Sequence, residues 1–388
     1  MNSRSLTTTT KVTKTLKLGI AAVVQYRRTA ALAFCLALCT LGLGISASAQ
    51  GPTVTTFDAP GAGMGAQQGT YPQSVNEAGA ITGWYTDLRF VNHGFVRNLG
   101  GTITTFDAPG AGTGAGRGTL AYSVSPAGVI AGYYQDANSV SHGFLRGSDG
   151  TFTTFDAPGA GTGAGQGTFA DSINEAGEVT GNYADANFVR HGFVRVPDGS
   201  FTSFDAAGVG VGVVPNVNPA GAITGTYFDA SNAHHGFVRA PDGTLTTFDA
   251  LHAGTGNGQG TYPLSINPSA AVAGAYLDAS SLYHGFLRAP DATLVTFDAP
   301  GAGTGTFQGT YAVSINPAGV VTGTYFDTKT AFHGFQRAPD GTVTTFDVPS
   351  AGTGFLQGTF ALRNNAAGVI TGYYVDSANV AHGFLRSG

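Results

Sequence analysis

The sequence predicts an all-β chain folded as a seven-bladed β-propeller with four antiparallel strands per blade. Three observations favour this fold: a composition rich in turn residues, one unit written seven times, and chain ends that each hold part of a unit. Gly supplies 60 of the 388 residues and charged residues only 11%, against usual shares of about 7% and about 25%. Hydrophobic residues make up 42%, which is enough for a core, and Gly at this frequency disfavours long helices.

The first 49 residues have the features of a targeting signal. They contain six basic residues and no Asp or Glu, an apolar run of 16 residues from Ala30 to Ile45, and then Ala47-Ser48-Ala49. This order is typical of a secretory signal peptide. A retained membrane anchor is the alternative, but the apolar run is short for a span of about 20 residues. We therefore predict a signal peptide at 1–49, a single seven-repeat domain at 50–388, and a protein that is secreted or held at the cell surface.

Removal of this segment changes the charge and excludes classes of partner. Both cysteines lie within it, so the mature chain has no disulfide to stabilise it outside the cell. Lys and Arg fall from 18 to 12 while all 23 acids remain, which moves the formal charge from −5 to −11. Such a protein is a poor match for nucleic acid or anionic lipid. We expect a monomer with no membrane span after cleavage, no nucleic-acid partner and an extracellular or envelope ligand of unknown identity.

Two motifs divide the rest of the chain into seven units. Consecutive Phe-Asp copies are 49 residues apart, except for one step of 44. A fixed period of about 50 residues indicates a repeat array, and units of four strands are typical of a β-propeller. Phe-Asp begins at 57, 106, 155, 204, 248, 297 and 346, and His-Gly-Phe begins at 93, 142, 191, 235, 284, 333 and 382.

Each unit is predicted to contain four strands, as in the segment from 263 to 298. These strands are PLSIN at 263–267, VAGAYLD at 272–278, HGFLR at 284–288 and TLVTFD at 293–298. Pro-Asp-Gly and Asn-x-Ala-Gly sequences between strands are typical of tight turns, because Pro sets φ and Gly accepts a positive φ. The chain opens on a fourth-strand sequence at 53–58 and closes on a third-strand sequence at 382–386. The N-terminal strand is therefore predicted to complete the last blade and close the ring.

The repeat resembles a known family. Ser-Ile-Asn, x-x-Gly, Ile-Thr-Gly and His-Gly-Phe-Leu are similar to the repeats of the HAF family of extracellular proteins, over essentially the whole mature chain. This chain departs from the family in having Gly where the name-giving motif has Ala, and Arg at the end of the strand. The resemblance implies a secreted repeat protein with a propeller fold, and it implies no activity.

Two kinds of connection are predicted to share one face of the ring. Antiparallel strands place the Gly-rich connection after Phe-Asp and the five-residue connection before His on one face, the loop face, and the tight turns on the opposite turn face. The five-residue connections, here called tips, differ between units, and long loops on a rigid scaffold commonly carry function. The alternative is drift at solvent-exposed positions. The candidate ligand-binding residues are Arg89, Phe90, Phe188, Arg190, His234, Tyr283, Lys329 and Phe332.

In every unit an Asp lies six residues before the His. Asp and His occur together in charge-relay and metal sites. Sevenfold recurrence instead favours a hydrogen bond that holds the loop between the second and third strands, similar to the Asp–His bracing of WD-type propellers. The recurring Arg at the end of the third strand is expected to pair with a carboxylate. The pairs are Asp87 with His93, Asp136 with His142, Asp185 with His191, Asp229 with His235, Asp278 with His284, Asp327 with His333, and Asp376 with His382.

An enzyme needs residues that are not repeated, and few are present. The carboxylates outside the repeat are Glu77, Asp171, Glu175 and Glu178, and the three glutamates belong to the turn face. No P-loop, G-x-S-x-G, H-E-x-x-H or EF-hand sequence occurs. We predict a binding or scaffolding module for a glycan or envelope protein, with no catalytic residue, metal or cofactor. Two alternatives stay open: a lyase or hydrolase acting at the central pore, and calcium or another metal bound at the Asp–His loops.

Overall fold

The computed structural model describes residues 51–206, 210–212 and 216–388. Within these ranges the chain forms strands and no helix. The described residues therefore contain no helix that is long and apolar enough to span a membrane. Antiparallel pairings group the described strands into seven four-stranded sheets, the blades, numbered here along the chain from the first complete one. The predicted signal peptide at 1–49 lies outside the described residues.

The four strands of a blade are ordered from the axis of the ring to its rim, the inner strand first and the outer strand last. The inner strands, from blade 1 to blade 7, are Gly69–Val75, Gly118–Val124, Gly167–Ile173, Gly210–Val211 with Asn216–Val217, Gly260–Ile266, Gly309–Ile315 and Gly358–Asn364. The second strands are Ile81–Thr86, Ile130–Gln135, Val179–Ala184, Ile223–Phe228, Val272–Leu277, Val321–Phe326 and Ile370–Val375. The third strands are Asn92–Arg97, Ser141–Arg146, Arg190–Arg195, His234–Arg239, Tyr283–Arg288, Phe332–Arg337 and Ala381–Ser387. The outer strands are Ile103–Phe106, Phe152–Phe155, Phe201–Phe204, Leu245–Phe248, Leu294–Phe297, Val343–Phe346 and Thr53–Phe57.

The N-terminal strand Thr53–Phe57 is the outer strand of blade 7. It pairs antiparallel with the last strand of the chain, with Thr53 opposite Ser387 and Phe57 opposite Gly383. The inner strand of blade 1 contacts the inner, second and third strands of blade 7. The ring is therefore closed, which leaves no free edge between the first and last blades. The prediction of an all-β propeller closed by its N-terminal strand is confirmed.

Adjacent blades are joined by a repeated contact between aromatic and cationic side chains. Phe95 on blade 1 meets Phe57 on blade 7, with ring centroids 6.2 Å apart, and the Arg97 guanidinium lies 5.0 Å from the centre of the same Phe57 ring. An arginine lies over a phenylalanine in this way at all seven junctions, at 4.6–5.1 Å. The recurring arginines thus lie over rings of the neighbouring blade, because the planar guanidinium packs well on an aromatic face. Turn carboxylates act on Arg146, Arg195 and Arg288 only at longer range.

Candidate functional site

Six of the seven repeated histidines lie between two carboxylates at the loop face. His93 Nδ1 is 3.0 Å from Asp107, which belongs to the Phe-Asp motif of the same blade, and His93 Nε2 is 3.7 Å from Asp87. Tyr85 stacks on the imidazole with ring centroids 4.9 Å apart. The hydrogen bond to Asp107 raises the pKa of His93, since a carboxylate favours the protonated ring.

The histidine hydrogen bond has a different partner from the one predicted. In all seven blades Nδ1 bonds the Asp of Phe-Asp at 2.7–3.0 Å, whereas the Asp six residues before the His lies 3.5–3.9 Å from Nε2 in six blades. Asp278 Oδ1 instead accepts the backbone N–H groups of Ser280 and Leu282, both at 2.8 Å. An Asp that opens a short loop is satisfied by that loop, so the imidazole turns toward the outer strand.

The eight predicted ligand-binding residues divide into an exposed and a buried group. The exposed residues are Arg89, Phe90, Phe188 and Lys329. The half-buried or buried residues are Arg190, His234, Tyr283 and Phe332. Only the first group lies on the loop face in a position to meet a macromolecule.

Tyr283 and Phe332 are core residues, and their prediction as exposed tip residues is corrected here. They are 2% and 3% exposed and contact the inner strand of the next blade, Tyr283 at Tyr311 with centroids 5.1 Å apart and Phe332 at Phe360 with centroids 3.8 Å apart. The physical reason is that the residue before each His already begins the third strand. Its backbone pairs with the Gly that starts the next inner strand, as Tyr283 does with Gly309.

Arg190 is part of a polar chain on blade 3. Its Nη1 donates to Asn182 Oδ1 at 2.6 Å, and its guanidinium lies 4.8 Å from the centre of the Phe169 ring. Asn182 Nδ2 lies 3.5 Å from Asp171 Oδ2. This arrangement holds the arginine inward toward the inner strand. His234 is held similarly, with its ring centroid 4.3 Å from that of Tyr262.

The loop face carries most of the exposed large apolar side chains in the described part of the chain. Nine such residues are exposed, and seven of them lie in tips or Gly-rich connections. The two others are Leu99 in a turn of the opposite face and Val295 on an outer strand. The seven are Met64, Leu88, Phe90, Phe188, Val189, Leu251 and Phe355.

Two of these phenylalanines have a backbone conformation that bulky residues rarely adopt. Phe90 and Phe188 have φ of 63° and 64°, in the left-handed region that costs about 1–2 kcal/mol for residues other than Gly. The same tip position holds Ser, Asn or Thr in the five other blades. Asn, found in two of these blades, tolerates this region far better than Phe does, whereas the β-branched Thr330 does not.

Backbone hydrogen bonds tie each tip to the next Gly-rich connection. Gly116 N–H donates to the Phe90 carbonyl at 2.7 Å and Gly165 N–H to the Ser139 carbonyl at 2.8 Å. The same bond joins six of the seven junctions, and the seventh junction borders residues 207–209 and 213–215, outside the described ranges. The backbone that carries the exposed side chains is therefore held by hydrogen bonds between neighbouring connections.

A second group of unusual residues lies around the axis. One buried apolar cluster takes residues from six blades, including Tyr122, Leu264, Val313 and Leu362 from the bulge of their inner strands, and a cluster shared by six blades surrounds the central channel. Gln73 occupies the same bulge in blade 1. It is fully buried, and neither its amide nitrogen nor its amide oxygen has a hydrogen-bond partner.

Arg363 is the second polar residue at the axis. It is 1% exposed and follows Leu362 on the inner strand of blade 7. Neither Arg363 nor Gln73 is among the sequence-based site predictions. The sequence does single out Arg363 as a departure from the repeat. Five other units have Ser at this position, at 74, 123, 172, 265 and 314.

Glu77 lies at the turn-face end of the channel. Burial, and then the nearby Glu175 carboxylate, raise the pKa of Glu77 to about 7, and its Oε2 atom is buried with no hydrogen-bond partner. A cavity beside it is lined by residues of blades 1 to 4, among them Asn76, Ser123 and Glu175. Among the described residues, no three His, Cys, Asp or Glu side chains are grouped so that they could hold a metal ion.

Comparisons with known proteins identify the fold. No protein-family profile matches the chain, and no curated protein matches it in sequence; the resemblance to HAF repeats therefore stays a prediction. Streptogramin B lyase is similar in structure, with a TM-score of 0.55 and 13% identity over 87% of this chain and 98% of that one. The virginiamycin B lyase of Staphylococcus aureus has a TM-score of 0.53 and 11% identity over 87% and 99% of the two chains.

A sugar-binding protein shares the architecture as well. The BP39L lectin of Burkholderia pseudomallei has a TM-score of 0.54 and 8% identity over 80% of this chain and 94% of that one. At such low identity these likenesses show the fold and no shared activity. Together with the strand pairing, they identify the chain as a β-propeller repeat protein.

Proposed function

We propose that the chain is an exported, non-catalytic binding module whose loop face takes a glycan or protein of the cell envelope. The observation that carries the proposal is the concentration of seven of the nine exposed large apolar side chains on that one face. Exposed apolar side chains grouped on one surface of a soluble protein commonly mark a binding site. The basic and apolar N-terminal segment and the acidic mature chain support export and a ligand that is not an anionic polymer.

The strained tips support the same surface. Phe90 is 43% and Phe188 is 62% exposed, so neither ring is buried enough to repay a left-handed backbone through packing. Strain that folding does not require is typical of functional positions. Aromatic side chains are also the residues that most often dominate binding energy at interfaces. We therefore assign Phe90 and Phe188 as anchors, with Arg89 and Lys329 as exposed cations on the same face.

The test uses replacements that the chain itself supplies. Asn and Ser occupy the equivalent tip position as Asn379 and Ser281, so F90N and F188S keep the backbone geometry and remove the rings. The matched control is V295T, because Thr occupies the same outer-strand position in other blades, for example Thr246. Each variant is applied to an array of envelope polysaccharides and purified envelope proteins. We expect the double variant to lose at least about tenfold in affinity, equivalent to about 1.4 kcal/mol, and V295T to bind as the parent does.

Two results would count against this function. One is an array on which the parent protein retains nothing. The other is a ligand that the parent and the double variant bind equally well, because the apolar tips would then be irrelevant to recognition.

A lyase or hydrolase acting at the central pore is the second candidate, and Glu77 favours it. A carboxyl group with a pKa of about 7 beside a second carboxylate is suited to general acid–base work at neutral pH. The test is turnover of uronate polysaccharides, esters and glycosides by the parent and by E77Q. Activity that E77Q abolishes supports the enzyme, and no turnover of any substrate class removes it.

A further inference from the structure

A buried guanidinium at the axis of the ring has no carboxylate beside it. Arg363 is 1% exposed, and burial alone lowers its pKa to about 9, with no neighbouring charge acting on it. Among the described residues its one hydrogen bond joins Nη1 to the Val313 carbonyl at 2.9 Å, and Nε has no partner. Fully buried arginines are otherwise paired with an anion. Arg363 thus presents positive charge and an unused Nε–H donor inside the propeller.

The blade next to it carries a second unsatisfied group. Gln73 lies on the inner strand of blade 1, which contacts the inner strand of blade 7 that holds Arg363. Gln73 occupies the same bulge position in its blade as Val313, the residue whose carbonyl Arg363 contacts, occupies in blade 6. Both side chains therefore belong to one layer of the channel. A fully buried amide with two unbonded atoms costs stability, so a retained Gln73 indicates that its donor and acceptor serve a ligand.

Comparison with the other units shows which interaction is lost at the position of Arg363. Four of the five equivalent serines accept a backbone N–H of the next blade, as Ser74 Oγ does from Val124 at 3.2 Å. The fifth, Ser314, donates to Asn364 Oδ1 of the next blade at 2.9 Å. Arg363 replaces that inter-blade hydrogen bond with a buried charge. A local departure that folding does not favour is expected at functional sites.

We propose that the central channel binds a small oxyanion, with the Arg363 guanidinium as its charged ligand and the Gln73 amide as a second donor. The planar guanidinium suits two oxygens of a carboxylate, phosphate or sulfate. Leu362, the residue before Arg363, belongs to the buried apolar cluster at the axis, and a low-dielectric interior strengthens such bonds. The carboxylate of Asp171, on blade 3, is directed to Asn182 at 3.5 Å. This site is separate from the loop face of the proposed function.

The experiment titrates inorganic phosphate, sulfate and malonate separately into the mature protein at constant ionic strength, by calorimetry. We expect one saturable site for at least one of them. R363S restores the residue of five other units and is expected to lose at least about tenfold in affinity, because a charge-assisted pair is removed. Q73L, with the residue found at 264 and 362, is expected to bind more weakly than the parent. R117Q makes a similar loss of charge in a Gly-rich connection, where five other units hold Gln, and is expected to bind as the parent does.

Saturable binding of malonate alone identifies an organic acid as the ligand class, and binding of phosphate or sulfate identifies an inorganic or phosphoryl group. The proposal is overturned if none of the three anions binds saturably to the parent, or if R363S binds as well as the parent. Should R363S fail to fold, the comparison moves to Q73L: the anion must raise the Tm of the parent with concentration, and raise that of Q73L less. V295T, which changes an exposed residue of an outer strand, must leave anion binding unchanged.

Discussion

The repeated units are uniform at the rim of the ring and differ from one another at its axis. At the rim, seven histidines bond seven Phe-Asp carboxylates and seven arginines lie over phenylalanines of the next blade. At the axis, the equivalent bulge position holds Gln73, Tyr122, Asp171, Leu264, Val313 and Leu362. A contact that is needed in every blade is written in every unit, whereas a site that is needed once appears as a departure from the repeat. The repeated contacts at the rim therefore stabilise the fold. The sequence differences at the axis and the tips mark positions where folding does not require one particular residue.

The largest expected effect comes from removing a repeated rim residue. Phe286 is fully buried and packs against Phe248 of the preceding blade, with centroids 6.0 Å apart. F286A is expected to lower the free energy of unfolding by about 3–5 kcal/mol through a cavity, measured by chemical denaturation. At the axis, L362V, which copies Val313, is expected to cost less than about 1.5 kcal/mol. Equal costs at both positions would break the distinction between rim and axis.

The histidine bond is the next largest test. H284A is expected to cost about 0.5–1.5 kcal/mol, because it removes the hydrogen bond to Asp298 at 2.9 Å, whose carboxylate is 49% exposed and gains water in its place. A double-mutant cycle separates the two carboxylates: coupling of His284 with Asp298 is expected to exceed its coupling with Asp278, whose carboxylate lies 3.8 Å from Nε2. The reverse order of coupling energies would restore the pair that the sequence suggests.

The same histidines predict how stability depends on pH. Hydrogen bonds to the Phe-Asp carboxylates raise the pKa of His93, His333 and His382 above the ordinary 6.5. Folding therefore favours the protonated ring, so the contribution is complete below pH 6.5 and is lost as the pH rises through the folded pKa. We expect the denaturation midpoint to fall between pH 6 and pH 9. A midpoint that rises across this interval would mean that the rings are neutral in the folded protein.

The sequence predicted the rim more fully than the axis, for a physical reason. Period, turn chemistry and incomplete end units are local features, and they gave the propeller, its closure by Thr53–Phe57 and the separation of loops from turns. The predictions for Tyr283 and Phe332 were wrong because the third strand starts one residue before the His-Gly-Phe motif, which turns those rings inward. That Arg363 is buried without a carboxylate could not be predicted from the sequence. Its surroundings form only when the ring closes and brings blades 6, 7 and 1 together at the axis.

The smallest expected effect concerns the tips and has the opposite sign from the others. F90N places at φ 63° a residue that tolerates the left-handed region, and the exposed Phe90 ring gives up little packing. The free energy of unfolding is therefore expected to rise by up to about 1 kcal/mol. The mirror variant N379F, at φ 64° in blade 7, is expected to lose a similar amount, and both are measured by chemical denaturation against the parent. If F90N instead destabilises the protein, the Phe90 ring supports the fold, and the tips belong with the rim as structural positions and not with the axis as positions left free for binding.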